Sequence, residues 1–174
     1  MIDTDANISK SDIEKGLQQV YWSARMEVLR MKDQIIIVDG AHNEFSARKL
    51  AEAIKEYKEG ILQEYSSQVI IIFGVLDNHE CKNILTELSC LDPLIVPVQS
   101  KHPKASEAEH IVTYANLLNI NIMDIDNKIT NIPNVMNYVT SNVDTKSIIV
   151  VTGSISVAAE ALNWYKLVNK VNDV

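Results

Sequence analysis

Asp39, His42 and Ser154 are the residues of this chain whose types and positions most invite chemistry. Asp39 and His42 stand in Asp39-Gly40-Ala41-His42-Asn43, directly after the apolar run Ile35-Ile36-Ile37-Val38. Ser154 stands in Thr152-Gly153-Ser154, directly after the strand-like stretch 147–151, and a further polar junction, 74–80, follows the run 69–73. An acid can hold a cation, an imidazole can take or give a proton near neutral pH, and a hydroxyl can donate or accept. Polar turns after buried parallel strands share one edge of the sheet, the edge at which open α/β sheets bind ligands. That placement brings Asp39, His42 and Ser154 towards one another. The same residues have plain structural uses. Asp39, Asn43 or Ser154 can cap the helix that follows, and His42 can bond a loop carbonyl. Pattern alone leaves both uses open.

The elements that must position these turns follow from periodicity. The run 35–38 has no polar alternation, so it reads as a strand buried on both faces, as in a parallel sheet. In 44–58, Phe45, Leu50, Ala51 and Ile54 recur at helical spacing with Ala47, Ala53 and Tyr57 beside them, and Gly60 marks the end. Upstream, 11–17 is a short helix capped by Ser9 or Ser11. The stretch 24–31 sets Met26, Val28 and Arg30 against Arg25, Glu27 and Leu29. With a turn at Lys32-Asp33 it forms a hairpin with 35–38. Strands at 69–73, 94–98, 121–125 and 147–151 then alternate with helices starting near His79, at 107–118, at 134–143 and from Ser154 to near Val171. Pro93 and Pro97 mark the ends of one strand or an edge position. Ser66-Ser67 and 126–131 read as loops. The pattern predicts an α/β fold: a Rossmann-like open, mostly parallel sheet of about six strands flanked by helices, with a short N-terminal hairpin.

With 174 residues, 47% of them hydrophobic, the chain is expected to form one domain over 1–174. A net charge of -7 with no basic stripe argues against a nucleic-acid partner. No apolar run reaches spanning length, and residues 1–10 lack the apolar segment of a signal peptide, so no membrane partner and a cytoplasmic location are expected. Cys81 and Cys90 fit neither a zinc site nor a CxxC pair and are read as reduced thiols. The four histidines show no metal-ligand spacing, and no metal ligand is assigned. The chain contains no P-loop, G-x-G-x-x-G or G-x-S-x-G pattern.

The letters around the turns say more. Asp39-Gly40-Ala41-His42-Asn43 after a buried strand resembles the carboxy-terminal domain of folylpolyglutamate synthase and dihydrofolate synthase, relatives of the Mur peptide ligases, where Asp-Gly-Ala-His-Asn-Pro is usual. Trp22-Ser23-Ala24-Arg25-Met26-Glu27 is similar to that family's Trp-x-Gly-Arg-x-Glu. Phe73-Gly74, Ser100-Lys101-His102-Pro103-Lys104-Ala105 and Thr152-Gly153-Ser154 resemble its Phe-Gly, Ser-Arg-His-Pro-Arg-Ala and Thr-Gly-Ser segments, in the same order. The resemblance implies one part of an ATP-dependent ligase. ATP activates a carboxylate as an acyl phosphate, and the amine of glutamate displaces phosphate, with folate or dihydropteroate as the carboxylate. ATP and its magnesium would be held mainly by an amino-terminal P-loop ATPase domain, in cis or in trans. By that pattern Arg25 contacts ATP phosphate, Asp39 lines the nucleotide side, His42 positions glutamate or the acyl phosphate as the catalytic residue, and Ser154 hydrogen-bonds glutamate. The chain alone is then expected to be inactive.

The departures also count. Glu44 stands where the family has proline, tolerable at a helix N-terminus. Ala24 replaces a glycine, Asn78-His79-Glu80 replaces Asp-Lys-Asp, and Lys101 and Lys104 replace arginines, losing the bidentate fork. They keep open an alternative: a non-catalytic split subunit or relic binding module. A Mur ligase acting on a peptidoglycan precursor is a third reading. Gly40, where such enzymes carry tyrosine, and the Gly-Ser end favour the folate branch.

Overall fold

The computed structural model describes residues 8–19, 22–31, 34–60, 68–76, 80–125, 130–144 and 146–172. The expected turn at Lys32-Asp33, the loop at Ser66-Ser67, Asn78-His79 and most of the loop 126–131 lie outside them. In chain order the elements are α1 (Lys10–Gln19), β1 (Glu27–Met31), β2 (Gln34–Val38), α2 (Glu44–Gly60), β3 (Val69–Phe73), α3 (Cys81–Leu88), β4 (Pro93–Pro97), α4 (Ala108–Leu117), β5 (Asn121–Ile122), α5 (Ile132–Asn142), β6 (Ile148–Thr152) and α6 (Ile155–Asn172).

The strands form one six-stranded sheet in the order β1-β2-β6-β3-β4-β5. β1 is antiparallel to β2, and all other pairs are parallel. Every residue of β2, β3 and β6 is buried, as their unbroken apolar runs require. Side chains alternate between two cores. Ile35, Ile37, Ile71 and Val150 meet Leu50 and Ile54 of α2, Ile84 and Leu88 of α3 and Ile111 of α4. Ile36, Ile72, Ile149 and Val151 meet Val135 and Val139 of α5 and Val157, Ala161 and Trp164 of α6. The sheet is thus covered on both faces, the doubly wound arrangement.

Some boundaries differ from expectation for physical reasons. β1 begins at Glu27, because Ala24 and Met26 take positive φ values of 60° and 45° that no strand permits. β5 is two residues long, since only Leu94 and Ile95 offer it a ladder. α5 starts at Ile132, with Pro133 in its first turn and the Asn131 side chain accepting the Asn134 N–H at 3.0 Å. Pro93 and Pro97 are the first and last residues of β4, an internal strand. Ser9 caps α1: its hydroxyl accepts the Asp12 N–H at 3.2 Å, and the Asp12 carboxylate accepts the Ser9 N–H at 3.0 Å.

Candidate active site at the carboxyl edge of the sheet

The strand order makes the site. The chain leaves β2 for α2 on one face and leaves β6 for α6 on the other, so the ends of these adjacent strands form a switch point. Backbone hydrogen bonds tie the turns together: Asp39 N–H to Val151 O at 3.0 Å, Gly153 N–H to Ala41 O at 3.1 Å, and Gly74 N–H to Thr152 O at 3.2 Å. Gly153 has φ +106°, and a Cβ there would lie 2.4 Å from Gly74 O, so only glycine fits.

Asp39 is 7% exposed and uses both carboxylate oxygens. Oδ1 accepts the Ala41 N–H at 2.8 Å, and Oδ2 accepts the Met26 N–H at 2.8 Å. Ala24 O in turn accepts the Gly40 N–H at 2.8 Å. The residues on either side of Arg25 are therefore both fastened to Asp39-Gly40. The Glu27 carboxylate tightens the same turn by accepting the Ala24 N–H at 2.9 Å and the Ser23 hydroxyl at 3.0 Å. Arg25 itself is exposed, its guanidinium 5.8 Å from the centre of the Trp22 ring. Ala24 occupies a left-handed conformation that suits glycine better, which explains the glycine of the related pattern.

His42 is exposed at the head of α2. Its Nδ1 lies 2.9 Å from Gly40 O, and because a carbonyl can only accept, Nδ1 carries the proton. In the neutral ring this tautomer leaves the lone pair on Nε2. Asn43 and Ser46 cap α2 reciprocally. The Asn43 side chain accepts the Ser46 N–H at 2.9 Å, and the Ser46 hydroxyl accepts the Asn43 N–H at 3.1 Å.

Ser154, 2% exposed, caps α6 by accepting the Val157 N–H at 3.2 Å, and its hydroxyl lies 3.0 Å from that of Ser156. Ser156 lies 3.0 Å from Ser100, at the base of the turn 101–104. Nothing in the residue types around them marked Ser156 or Glu160, which accepts the Lys101 N–H at 2.6 Å, as neighbours of this edge. Thr152 Oγ1 and Glu160 Oε2 are buried here without a partner among the described residues.

Asp39 is thus joined directly to the Arg25 turn, while His42 and Ser154 each stand one residue beyond the bonded Ala41 and Gly153. The plain structural uses are all present: Asn43 and Ser154 cap helices, and His42 bonds a loop carbonyl. They hold these turns at the edge, where Arg25 and His42 are exposed.

Comparison with known proteins finds relatives of the same fold. A dihydrofolate synthase/folylpolyglutamate synthase of Bacillus subtilis is 24% identical over 150 residues, which are 86% of this chain and 32% of that protein. A bifunctional folylpolyglutamate synthase/dihydrofolate synthase of Yersinia pestis, complexed with AMPPNP and Mn, superposes with a TM-score of 0.72 at 20% identity, over 91% of this chain and 35% of that one. Escherichia coli FolC in complex with DHPP and ADP gives 0.76 at 16% identity, over 92% and 35%. This chain therefore spans about a third of the length of these relatives. The family described as Mur ligase, glutamate ligase domain, matches residues 24–155, from the Arg25 turn to the start of α6, and the chain belongs to that family.

Proposed function

We propose that this chain is the glutamate-side domain of an ATP-dependent carboxylate-amine ligase that adds glutamate to a folate or to dihydropteroate. The observation that carries the reading is the fastening of Arg25 to the Asp39-Gly40 turn through Met26 and Ala24, beside His42 and one strand from Ser154. An exposed cation on a fastened turn and an exposed imidazole beside it suit a reaction between a phosphorylated carboxylate and an amine.

In that reaction the amine nitrogen bonds the acyl carbon, the bond from that carbon to the phosphate oxygen breaks, and phosphate leaves. The nitrogen loses protons on the way. Arg25 meets the phosphate charge of ATP or of the acyl phosphate. Asp39 lines the nucleotide side and sets the Arg25 turn. The His42 Nε2 lone pair orients the amine of glutamate and accepts its proton, and the rigid cap at Ser46 keeps the ring in place. Ser154 offers its hydroxyl to glutamate. Among the described residues no cluster of three His, Cys, Asp or Glu could hold a metal ion, so no step is assigned to a metal held by this chain.

The triphosphate cradle is supplied in this reading by an ATPase domain in cis or in trans, since the 174 residues carry no P-loop pattern. Trp22, Phe45 and Ile155 support a covered edge: all three are large, apolar and exposed, and all border the site. The Ile155 side chain packs beside Gly40, Phe45 opens α2, and Trp22 carries Arg25. The test is partner-dependent turnover. Adding the ATPase domain is expected to give glutamate-dependent phosphate release that Arg25→Ala and His42→Ala each abolish. Unchanged turnover in both variants would overturn the residue roles. Failure to capture any ATPase-domain protein would turn the reading towards a non-catalytic binding module.

A further inference from the structure

A second cleft opens at the other end of β2, on the edge of the sheet away from the Asp39 turn. It has a volume of about 610 Å³ and is lined by the end of β1, by Gln34 at the start of β2, and by the carboxyl-terminal halves of α5 and α6. The 5 residues of β2, about 16 Å of strand, separate it from the site described above. Its size is that of a small-molecule site, for which roughly 300–1,000 Å³ is usual. Tyr165 fastens α6 to β1 here, its hydroxyl donating to Arg30 O at 2.7 Å.

Gln34 is the polar exception in Gln34-Ile35-Ile36-Ile37-Val38 and is 4% exposed. Its Nε2 donates to Thr140 O, in the last turn of α5, at 3.0 Å. A carbonyl can only accept, so the amide is turned one way and Oε1 is its other end. Among the described residues Oε1 has no hydrogen-bond partner. A side chain this buried keeps that acceptor ready for a donor that enters the cleft.

The rest of the lining supplies donors and apolar wall. The Trp164 indole N–H donates to Asn137 Oδ1 at 2.8 Å, which leaves Asn137 Nδ2 as a donor. Ser141, one turn on from Asn137, adds a hydroxyl, and Met31, Trp164 and Val168 give apolar surface. Among the described residues no acid lines the cleft. Arg30 stands opposite Ile35 in the β1–β2 ladder, and opposed residues share a face, so its side chain leaves on the α2 side rather than with Gln34. The lining that faces a ligand is therefore uncharged. An acceptor among donors, between apolar walls, matches an uncharged flat ring in which an N–H stands beside carbonyls.

We infer that this cleft is a second ligand site, and that it takes an uncharged cyclic amide or imide, the chemistry of a pyrimidine or purine base. The ring N–H donates to Gln34 Oε1, and the ring carbonyl oxygens accept from Asn137 Nδ2 and the Ser141 hydroxyl. The inference does not rest on the ligation reading.

Its test uses the chain alone. Uridine, whose ring N–H lies between two carbonyls, is titrated while NMR follows the indole N–H of Trp164, with that of Trp22 at the opposite edge as internal control. Saturable shifts at Trp164 and at the amides of 137–141, with Trp22 unmoved, are expected at millimolar uridine. 3-Methyluridine lacks that N–H and should bind about tenfold more weakly, the size of one hydrogen bond to a buried acceptor. Gln34→Met removes the acceptor at similar volume and should bring uridine down to the level of 3-methyluridine. Should Gln34→Met unfold, Ser141→Ala, at an exposed position, takes its place and should weaken uridine several-fold. Absence of shifts at Trp164, shifts at Trp22 alone, or equal binding of uridine and 3-methyluridine overturns the site. Parent-like binding by Gln34→Met, or by Ser141→Ala in its place, overturns the assigned contacts.

Discussion

Replacing Asp39 by asparagine removes one oxygen from a carboxylate that serves two backbone donors, so the change tests the core of the site directly. The carboxylate is 7% exposed and accepts the Ala41 and Met26 N–H groups at 2.8 Å each. Asparagine keeps one acceptor and sets an NH2 group against the other N–H. The Ala41 bond is the more buried, so the side-chain oxygen should stay there and the Met26 N–H should be released. Losing one charge-assisted bond and leaving a partly buried N–H unmatched costs about 2–4 kcal/mol. For a domain of this size that is a fall in Tm of roughly 5–15 °C. Urea unfolding gives the free energy, and hydrogen exchange at the Met26 amide tells where it was lost. Protection at Met26 should collapse while β2, β3 and β6 keep theirs. A loss below about 0.5 kcal/mol, with Met26 still protected, would refute the argument that Asp39 holds the Arg25 turn.

Three further outcomes follow from the geometry. Gly153→Ala places a Cβ 2.4 Å from Gly74 O at φ +106°, so it should fail to accumulate as folded protein or melt far below the parent, and a parent-like melting curve would contradict the packing. Ala24→Gly relieves a residue at φ 60° and should stabilise the domain by about 0.5–1 kcal/mol after the entropy of the freer unfolded chain is counted, measured by urea unfolding; destabilisation would count against the strained turn. Burial pushes the Cys81 thiol up to about 12, whereas Cys90 is exposed, so a thiol reagent near neutral pH should label Cys90 in the native chain and Cys81 only after unfolding.

What the sequence disclosed depended on how local the cause was. The isoleucine run of β2 and the helical spacing of Leu50, Ala51 and Ile54 are local facts, and both elements stand where expected. The start of β1 is not local: Ala24 and Met26 are bent by bonds to Gly40 and Asp39, which lie many residues away. α5 begins two residues before Asn134 because Asn131 caps it and a first-turn proline needs no N–H partner. Strand order was also hidden, for nothing in β6 announces that it inserts between β2 and β3. That insertion places Ser154 beside the Asp39 turn. Strand ends alone put Asp39, His42 and Ser154 on one edge of the sheet, and their adjacency along it needed the strand order. The tautomer of His42 and the crossing from α6 to the turn 101–104 needed the partners in space.

The central claim is that this chain supplies the glutamate side of a ligation that another domain energises. The measurement that meets it most directly is ATP- and glutamate-dependent phosphate release, with a folate or dihydropteroate present, by the chain alone, by an ATPase domain alone and by the two together. The account predicts release only from the pair, lost with His42→Ala and with Arg25→Ala. Ligation by the chain alone, or by the pair with both variants as active as the parent, would contradict it.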